Sequence, residues 1–208
     1  MSRRYSGQTA EDRTADRRAR LIDFGVEVVG TQGVSALGVR SVCRAAGLSQ
    51  KFFYESFADT DVLLHAVYRA ALARLEEAVA PAVASGDLYA VFEAAARLME
   101  ADPRICRILL VEPVADARLR GYVRETIPAI ATAALGDRIV GSPDDPGVRM
   151  RFSALFGAII SLFVEWTEGS LGTDRDAFAT HLTAVVTQLM SGVSSDGTGR
   201  PQQLAHRR

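Results

Sequence analysis

The sequence predicts an all-α fold, a three-helix unit at the N-terminus followed by a larger helical unit. Three observations carry that prediction. Apolar residues recur at i, i+3, i+4, i+7 spacing through most of the 208 residues, no segment shows convincing strand alternation, and Asp-Pro, Gly and Pro signals fall at helix-length intervals. With 48% hydrophobic and 24% charged residues, the chain can bury a proper core as one large or two small domains.

The elements follow in order. Arg3 and Arg4 sit in an arm expected to be flexible over residues 1–9. Arg13, Arg17, Arg18 and Arg20 then precede an apolar helix carrying Leu21, Phe24 and Val28, with Asp23 and Glu27 between them. This basic run is either a solvated face or a surface turned to a polyanion. From Val39 to Phe57 the chain reads as two short helices hinged on one glycine. Val39, Val42, Cys43 and Ala46 share a face, which leaves Arg40 and Arg44 on the opposite one. Gly47 suits a left-handed helix end, Leu48 plugs the gap, and Ser49 suits the next helix start. Phe53 and Phe57 return to the core, so Gln50, Lys51, Phe52 and Tyr54 face outward. That is a helix-turn-helix whose outward amide, ammonium, ring and phenol suit DNA.

From Leu21 to Leu64 the sequence resembles, without a gap, the DNA-binding region of the tetracycline-repressor (TetR) family of transcriptional regulators. The matching pieces are Val28-Val29, Gly33, Ala46-Gly47-Leu48-Ser49, Phe53-Tyr54, Phe57 and Leu63-Leu64. Two positions depart from the pattern: Leu37-Gly38 replaces the usual capping hydroxyl pair, and Thr60 replaces a frequent lysine, which puts a phosphate contact there in doubt. The resemblance implies a DNA-binding domain over 1–60, an all-helical effector-binding and dimerisation domain over 61–191, and a Ser, Gly, Arg and Gln-rich disordered tail over 192–208. In the major groove Gln50 and Lys51 would bond base edges and Phe52 would touch a thymine methyl. Tyr54 and the Ser49 region would hold phosphates, Arg40 and Arg44 would meet the backbone or an adjacent base, and Glu55 either reads cytosine or orients a neighbouring arginine.

The connecting helix starts at Asp59 or Thr60 and runs towards Ala80, with Pro81 and Ser85-Gly86 marking its end. Further helices are expected near 88–100, 104–112, 116–135, 146–167 and 174–191. Asp102-Pro103 and Asp145-Pro146 open two of them as cap followed by first-turn proline. Pro113, Gly136 and the Gly141 to Pro143 stretch supply stops, and Gly121 and Pro128 should bend the long helix that contains them. The last two helices are apolar over most of their circumference, so each packs on its own domain and on something else. The resemblance makes that a homodimer interface, with Phe163, Trp166, Leu182, Val186 and Leu189 in it; the alternative is a monomeric core. Phe92, Met99, Ile105, Leu109, Tyr122, Phe152 and Phe156 are candidates to line an effector cavity. Glu112 lies on the stripe of Ile105 and Leu109, a costly place for a carboxylate unless Arg104, Arg107 or a ligand donor pairs with it. The effector is then mostly apolar, and cationic if Glu112 points inward.

Other chemistry finds little footing. His65, His181 and His206 are scattered without metal-ligand spacing, Asp144-Asp145 reads as a cap and not as an acid-base pair, and Cys43 and Cys106 are expected to be free thiols. No cofactor, metal or catalytic residue is expected, and the chain does not read as an enzyme. The net charge of -1 argues against indiscriminate coating of nucleic acid. No run approaches about 18 consecutive apolar residues, and no apolar segment follows the N-terminal arginines, so a cytoplasmic protein without a membrane span is expected. The expected function is a dimeric regulator, a repressor by default, that leaves a palindromic operator in double-stranded DNA when a small molecule binds. A DNA-binding dimer without a small-molecule effector is the alternative, with an all-α enzyme behind it.

Overall fold

A computed structural model describes residues 9–136, 145–172 and 174–190, and among them there are helices and no strands. Arg3 and Arg4 of the expected arm, the expected stop at Gly141 to Pro143, Asp144, and the expected tail with His206 lie outside the described residues. Helix α1 (Ala10–Gln32) opens on a reciprocal cap. Thr9 Oγ1 accepts from the Asp12 amide at 3.0 Å, and the Asp12 carboxylate accepts from the Thr9 amide at 2.9 Å. Gly33, at φ 90°, ends it, and a 3-10 turn (Val34–Ala36) leads on to α2 (Val39–Ala46). Gly38 is indeed a cap without a side chain. Ser41 compensates by reaching back, its Oγ accepting from the Gly38 amide at 3.0 Å and donating towards the Ala36 carbonyl at 2.9 Å.

Helix α3 (Gln50–Ser56) follows Gly47, which adopts the left-handed conformation (φ 63°, ψ 33°) expected of it. Helix α4 (Thr60–Ser85) starts at Asp59, whose carboxylate accepts from the Asp61 and Val62 amides, both at 2.9 Å. Pro81 does not stop it. The proline lies on the solvent side, where the ring meets no neighbouring element, and the helix continues to Gly86 (φ 69°). Helix α5 (Leu88–Ala101) is capped by Asp87, and α6 then begins at Pro103 behind the Asp102 cap. Pro113 does not stop α6 either, contrary to the expected end at Glu112. The helix runs as Pro103–Cys106, a π-turn at Arg107–Val111, and Glu112–Ala115. The Glu112 amide closes the wide turn on the Arg107 carbonyl, so the chain absorbs the proline's missing donor and ring with one extra residue. Helices α7 (Ala117–Leu135), α8 (Pro146–Thr167) and α9 (Arg175–Met190) complete the described chain, and α7 runs unbroken through Gly121 and Pro128.

One hydrophobic cluster extends from Leu21 of α1 through α4 to Met190 of α9. Helix α1 packs on α2, α3, α4 and α6, α4 packs on α5, and α5 packs on α9. Two glycines that no sequence pattern singled out allow α1 to come this close. A Cβ at Gly25 would lie 2.5 Å from Val67 Cγ2, and one at Gly30 would lie 2.4 Å from Arg104 Cβ and 3.1 Å from its Cα.

Four of the five expected interface residues are core instead: Phe163, Trp166, Leu182 and Val186 are at most 6% exposed within the single chain, and Leu189 is half-buried. The aromatic seam of α8 folds inward because Trp166 stacks on Phe178 at 4.7 Å and Phe163 meets the same ring edge-on at 5.1 Å. Along its middle α8 turns small residues outward, with Ser153, Ala154, Gly157 and Ser161 exposed, while Arg149, Met150 and Glu165 are exposed towards its ends. By length and composition α8 could cross a membrane, and only 17% of its most apolar window is buried in the single chain.

The α1–α6 approach generates a prediction. Gly30→Ala gains about 1 kcal/mol of helix propensity, but the new methyl must push α6 away at a cost of about 1 to 3 kcal/mol. Thermal unfolding should therefore move to lower temperature; a raised midpoint would show that the close approach is not a constraint.

Candidate nucleic-acid interface and internal cavity

The helix-turn-helix is built on α1 as a brace. Phe53 and Phe57 are buried beneath α3, and Val42, Cys43 and Ala46 beneath α2. Burial pushes the Cys43 thiol above its ordinary pKa, so it stays neutral as core. Opposite this core, Arg40, Arg44, Ser49, Gln50, Lys51, Tyr54 and Glu55 are exposed on one contiguous pair of helices, and Tyr54 retains 59% of its surface. Ser49 supplies the extended backbone that opens α3, yet its hydroxyl makes no capping bond. Phe52 departs from the expected outward position and is half-buried, because the Arg17 guanidinium lies 4.7 Å from its ring centre.

The basic run of α1 thus has a structural use. Arg18 lies over the Phe57 ring at 4.7 Å, and Arg20 donates to the Ala46 carbonyl at 2.6 Å, closing the end of α2. Arg17 is also 3.9 Å from Glu55, which in turn lies 4.0 Å from Lys51. Of the two readings of Glu55, this geometry matches the one in which it orients basic neighbours. Both pairs are long, and Lys51 is well exposed, so each contributes little stability.

A second cluster joins this head to the rest. Asp102, 7% exposed, receives Arg104 Nε at 2.7 Å and Arg74 Nη1 at 2.5 Å, while Arg104 Nη1 reaches Glu27 of α1 at 2.5 Å. The Arg104 and Arg74 donors hold the Asp102 carboxyl down at about 2 despite its burial. Nearby, Arg118 ties Asp61 of α4 to Asp116, and Tyr68 shares a 2.7 Å hydrogen bond with Thr126.

Between α4, α5, α7, α8 and α9 lies a cavity of about 520 Å³, within the usual size range of small-molecule sites. Phe92, Met99, Phe152 and Phe156 line it as expected. Ile105, Leu109, Glu112 and Tyr122 do not. Ile105 and Leu109 are buried in the core, and Tyr122 packs beside His65 at 4.7 Å and Tyr68 at 5.7 Å. Glu112 is paired with Arg107 at 2.9 Å and accepts from the Val34 amide at 2.9 Å, so it faces the end of α1 and not the cavity. The extra residue of the π-turn rotates everything after it by about 100° from the stripe that a 3.6-residue period predicts. Sequence reasoning missed Leu75, Val79, Leu110 and Ile159 as lining residues, and Glu76 as the single charged one. Among the described residues no group of three or more His, Cys, Asp or Glu side chains could hold a metal, and Cys43 and Cys106 are free.

No family model and no curated protein matches the sequence. Solved structures do match. A TetR-like transcriptional regulator from Rhodococcus superposes with a TM-score of 0.67 at 18% identity, covering 86% of this chain and 98% of that one. The fold is that of the TetR-like transcriptional regulators. The transcriptional regulator FadR of Bacillus subtilis, solved in complex with stearoyl-CoA, matches at a TM-score of 0.62 and 19% identity over 84% of this chain and 98% of its own. The multidrug binding protein EbrR, solved with imidazole, matches at 0.62 and 22% identity over 94% and 100%.

The Asp102 cluster generates a prediction about acid. Its carboxyl titrates at about 2 in the folded chain against 3.8 ordinarily. The stabilisation is complete above the unfolded value and is lost as pH falls towards the folded one. The stability gap between the native chain and Asp102→Asn should be widest near pH 5 and shrink towards pH 2 in thermal melts. A gap independent of pH would contradict this.

Proposed function

We propose that this chain is a ligand-responsive, dimeric transcriptional regulator, a repressor that leaves a palindromic operator when a mostly apolar small molecule enters the cavity. The observation that carries this is one continuous core holding both a braced helix-turn-helix with a free polar face and an apolar cavity of about 520 Å³. In this reading residues 1–60 bind DNA, with Gln50 and Lys51 reaching base edges and Arg40, Arg44, Ser49 and Tyr54 the backbone. Phe52 acts with Arg17 as a prop as much as a contact, and Glu55 orients Arg17 and Lys51. Residues 61–191 bind the effector and dimerise. A cytoplasmic location and a non-enzymatic role go with this reading.

The cavity lining favours an apolar effector whose polar end, if it has one, donates to or balances Glu76. Support for small molecules also comes from the likeness to FadR and EbrR, each solved with a ligand. Dimerisation is supported by α8, an apolar helix of which only 17% of the most apolar stretch is buried in the single chain, and whose exposed Ser153, Ala154, Gly157 and Ser161 are small enough for a second helix to approach closely. A second copy related by a two-fold axis would cover that face and set two heads on one side of the duplex. The buried aromatic seam is replaced in this role by the small outward residues of α8 together with Leu189.

Fluorescence-polarisation binding to DNA from the upstream region of its own gene, with a scrambled duplex as control, tests the reading. Selective binding is expected, and equal weak binding to both would count against it. On the selected duplex, Lys51→Ala should reduce the salt slope by about 1 per head; an unchanged slope would remove Lys51 from phosphate contact. Gly157 has open space around it, so Gly157→Glu should leave the fold intact and convert dimer to monomer in sedimentation. A dimer that survives would move the interface elsewhere.

A further inference from the structure

We propose that Arg17 of α1, which lies outside the helix-turn-helix, is a specificity-determining positioning residue: it sets the base preference of α3 without meeting DNA itself. The inference rests on the DNA-binding reading of α3. That helix has seven residues, and the Ser49 hydroxyl before it makes no capping bond. Phe53 and Phe57, buried beneath it, fix its depth. Four residues apart, they form one line of anchorage, and a two-turn helix held along one line can rock about its axis. Arg17 supplies the second line. Its guanidinium carbon lies 4.7 Å from the Phe52 ring centre, Nη2 stands 3.9 Å from Glu55 Oε2, and the same nitrogen donates to Thr14 Oγ1 at 2.9 Å. Phe52 and Glu55 are three residues apart and share the flank of α3 that Arg17 covers.

The side chain is placed to hold this flank and not to meet a phosphate. It is 23% exposed, against 81% for Lys51. Its Nε is buried and has no hydrogen-bond partner among the described residues, a desolvation cost that an arginine turned to solvent avoids. Glu55 is shared between two cations, for Lys51 Nζ stands 4.0 Å from its other oxygen, Oε1. Without Arg17, Phe52 loses its cover, Glu55 loses one of its two cations, and α3 is free to rock. Gln50 and Lys51 then meet base edges in more than one register. Base preference relaxes, while the positive charges that face the DNA backbone stay the same in number.

The test uses the full-length protein, a duplex that it selects from a random library, and the single-base-pair variants of one half-site, read by fluorescence polarisation at several salt concentrations. Arg17→Gln should lower discrimination at the base pairs beneath α3 by about 5-fold or more, with native helix content by circular dichroism and an unchanged salt slope. Glu55→Gln, a change at the surface, should relax the same base pairs. The double variant should be no worse than Arg17→Gln alone, because the two substitutions remove one contact. Native discrimination in either single variant would overturn the proposal. A salt slope lowered by about 1 per head, with equal loss on every duplex, would also overturn it by making Arg17 a phosphate contact. Losses that multiply in the double variant would overturn the route through Glu55. A native protein that selects no sequence at all would overturn the DNA-binding reading first, and this role with it.

Discussion

Helix α1 lies against α4 and α6 at a distance that only glycine allows, and the placement of both ends of the molecule depends on that contact. Gly25 admits Val67 and Gly30 admits the main chain of α6 at Arg104. Once α6 is seated, Arg104 can reach Glu27 and Asp102 together, and Asp102 can serve as both helix cap and partner of Arg74. A buried carboxylate with two guanidinium partners is costly to break and specific in geometry. The α1–α6 contact therefore resists sliding.

Nearer the N-terminal end of α1 the arginines brace the recognition unit. Arg17, Arg18 and Arg20 take Phe52, Phe57 and the Ala46 carbonyl respectively. A helix of seven residues such as α3 has no independent stability; Phe53 and Phe57 below it and Arg17 beside it hold it in place. Its polar face is then free to meet another molecule with little ordering left to do, which lowers the entropic cost of binding. The cavity sits in the other half of the same core, and α4 and α6 contribute to its wall as well as packing on α1.

The helix-turn-helix was legible in the sequence because its rules are short-range. Gly47 at the turn, Ser49 at the helix start and the Phe53 and Phe57 pair each act within one or two helical turns, and each stands where local rules put it. The larger unit was legible as helices but not as faces. Pro81 and Pro113 read as stops, yet solvent exposure in one case and a π-turn in the other let the helix pass. That π-turn also carried Glu112 off the expected stripe and onto Val34, a partner 78 residues away that no local pattern announces. Phe163 and Trp166 read as interface because a helix apolar all round does not declare which side meets its own domain. Ring contacts with Phe178 decide it. Gly25 and Gly30 were silent for the same reason: a glycine inside a helix shows its purpose only when the neighbour is known.

Whether two braced heads read one duplex can be measured by selecting bound sequences from a random double-stranded library. Two heads on a two-fold axis should enrich an inverted repeat whose half-sites recur on one face of the duplex, about 10 to 10.5 base pairs or a multiple apart. Enrichment of a single unrepeated site, or no enrichment while the protein remains folded, would contradict it.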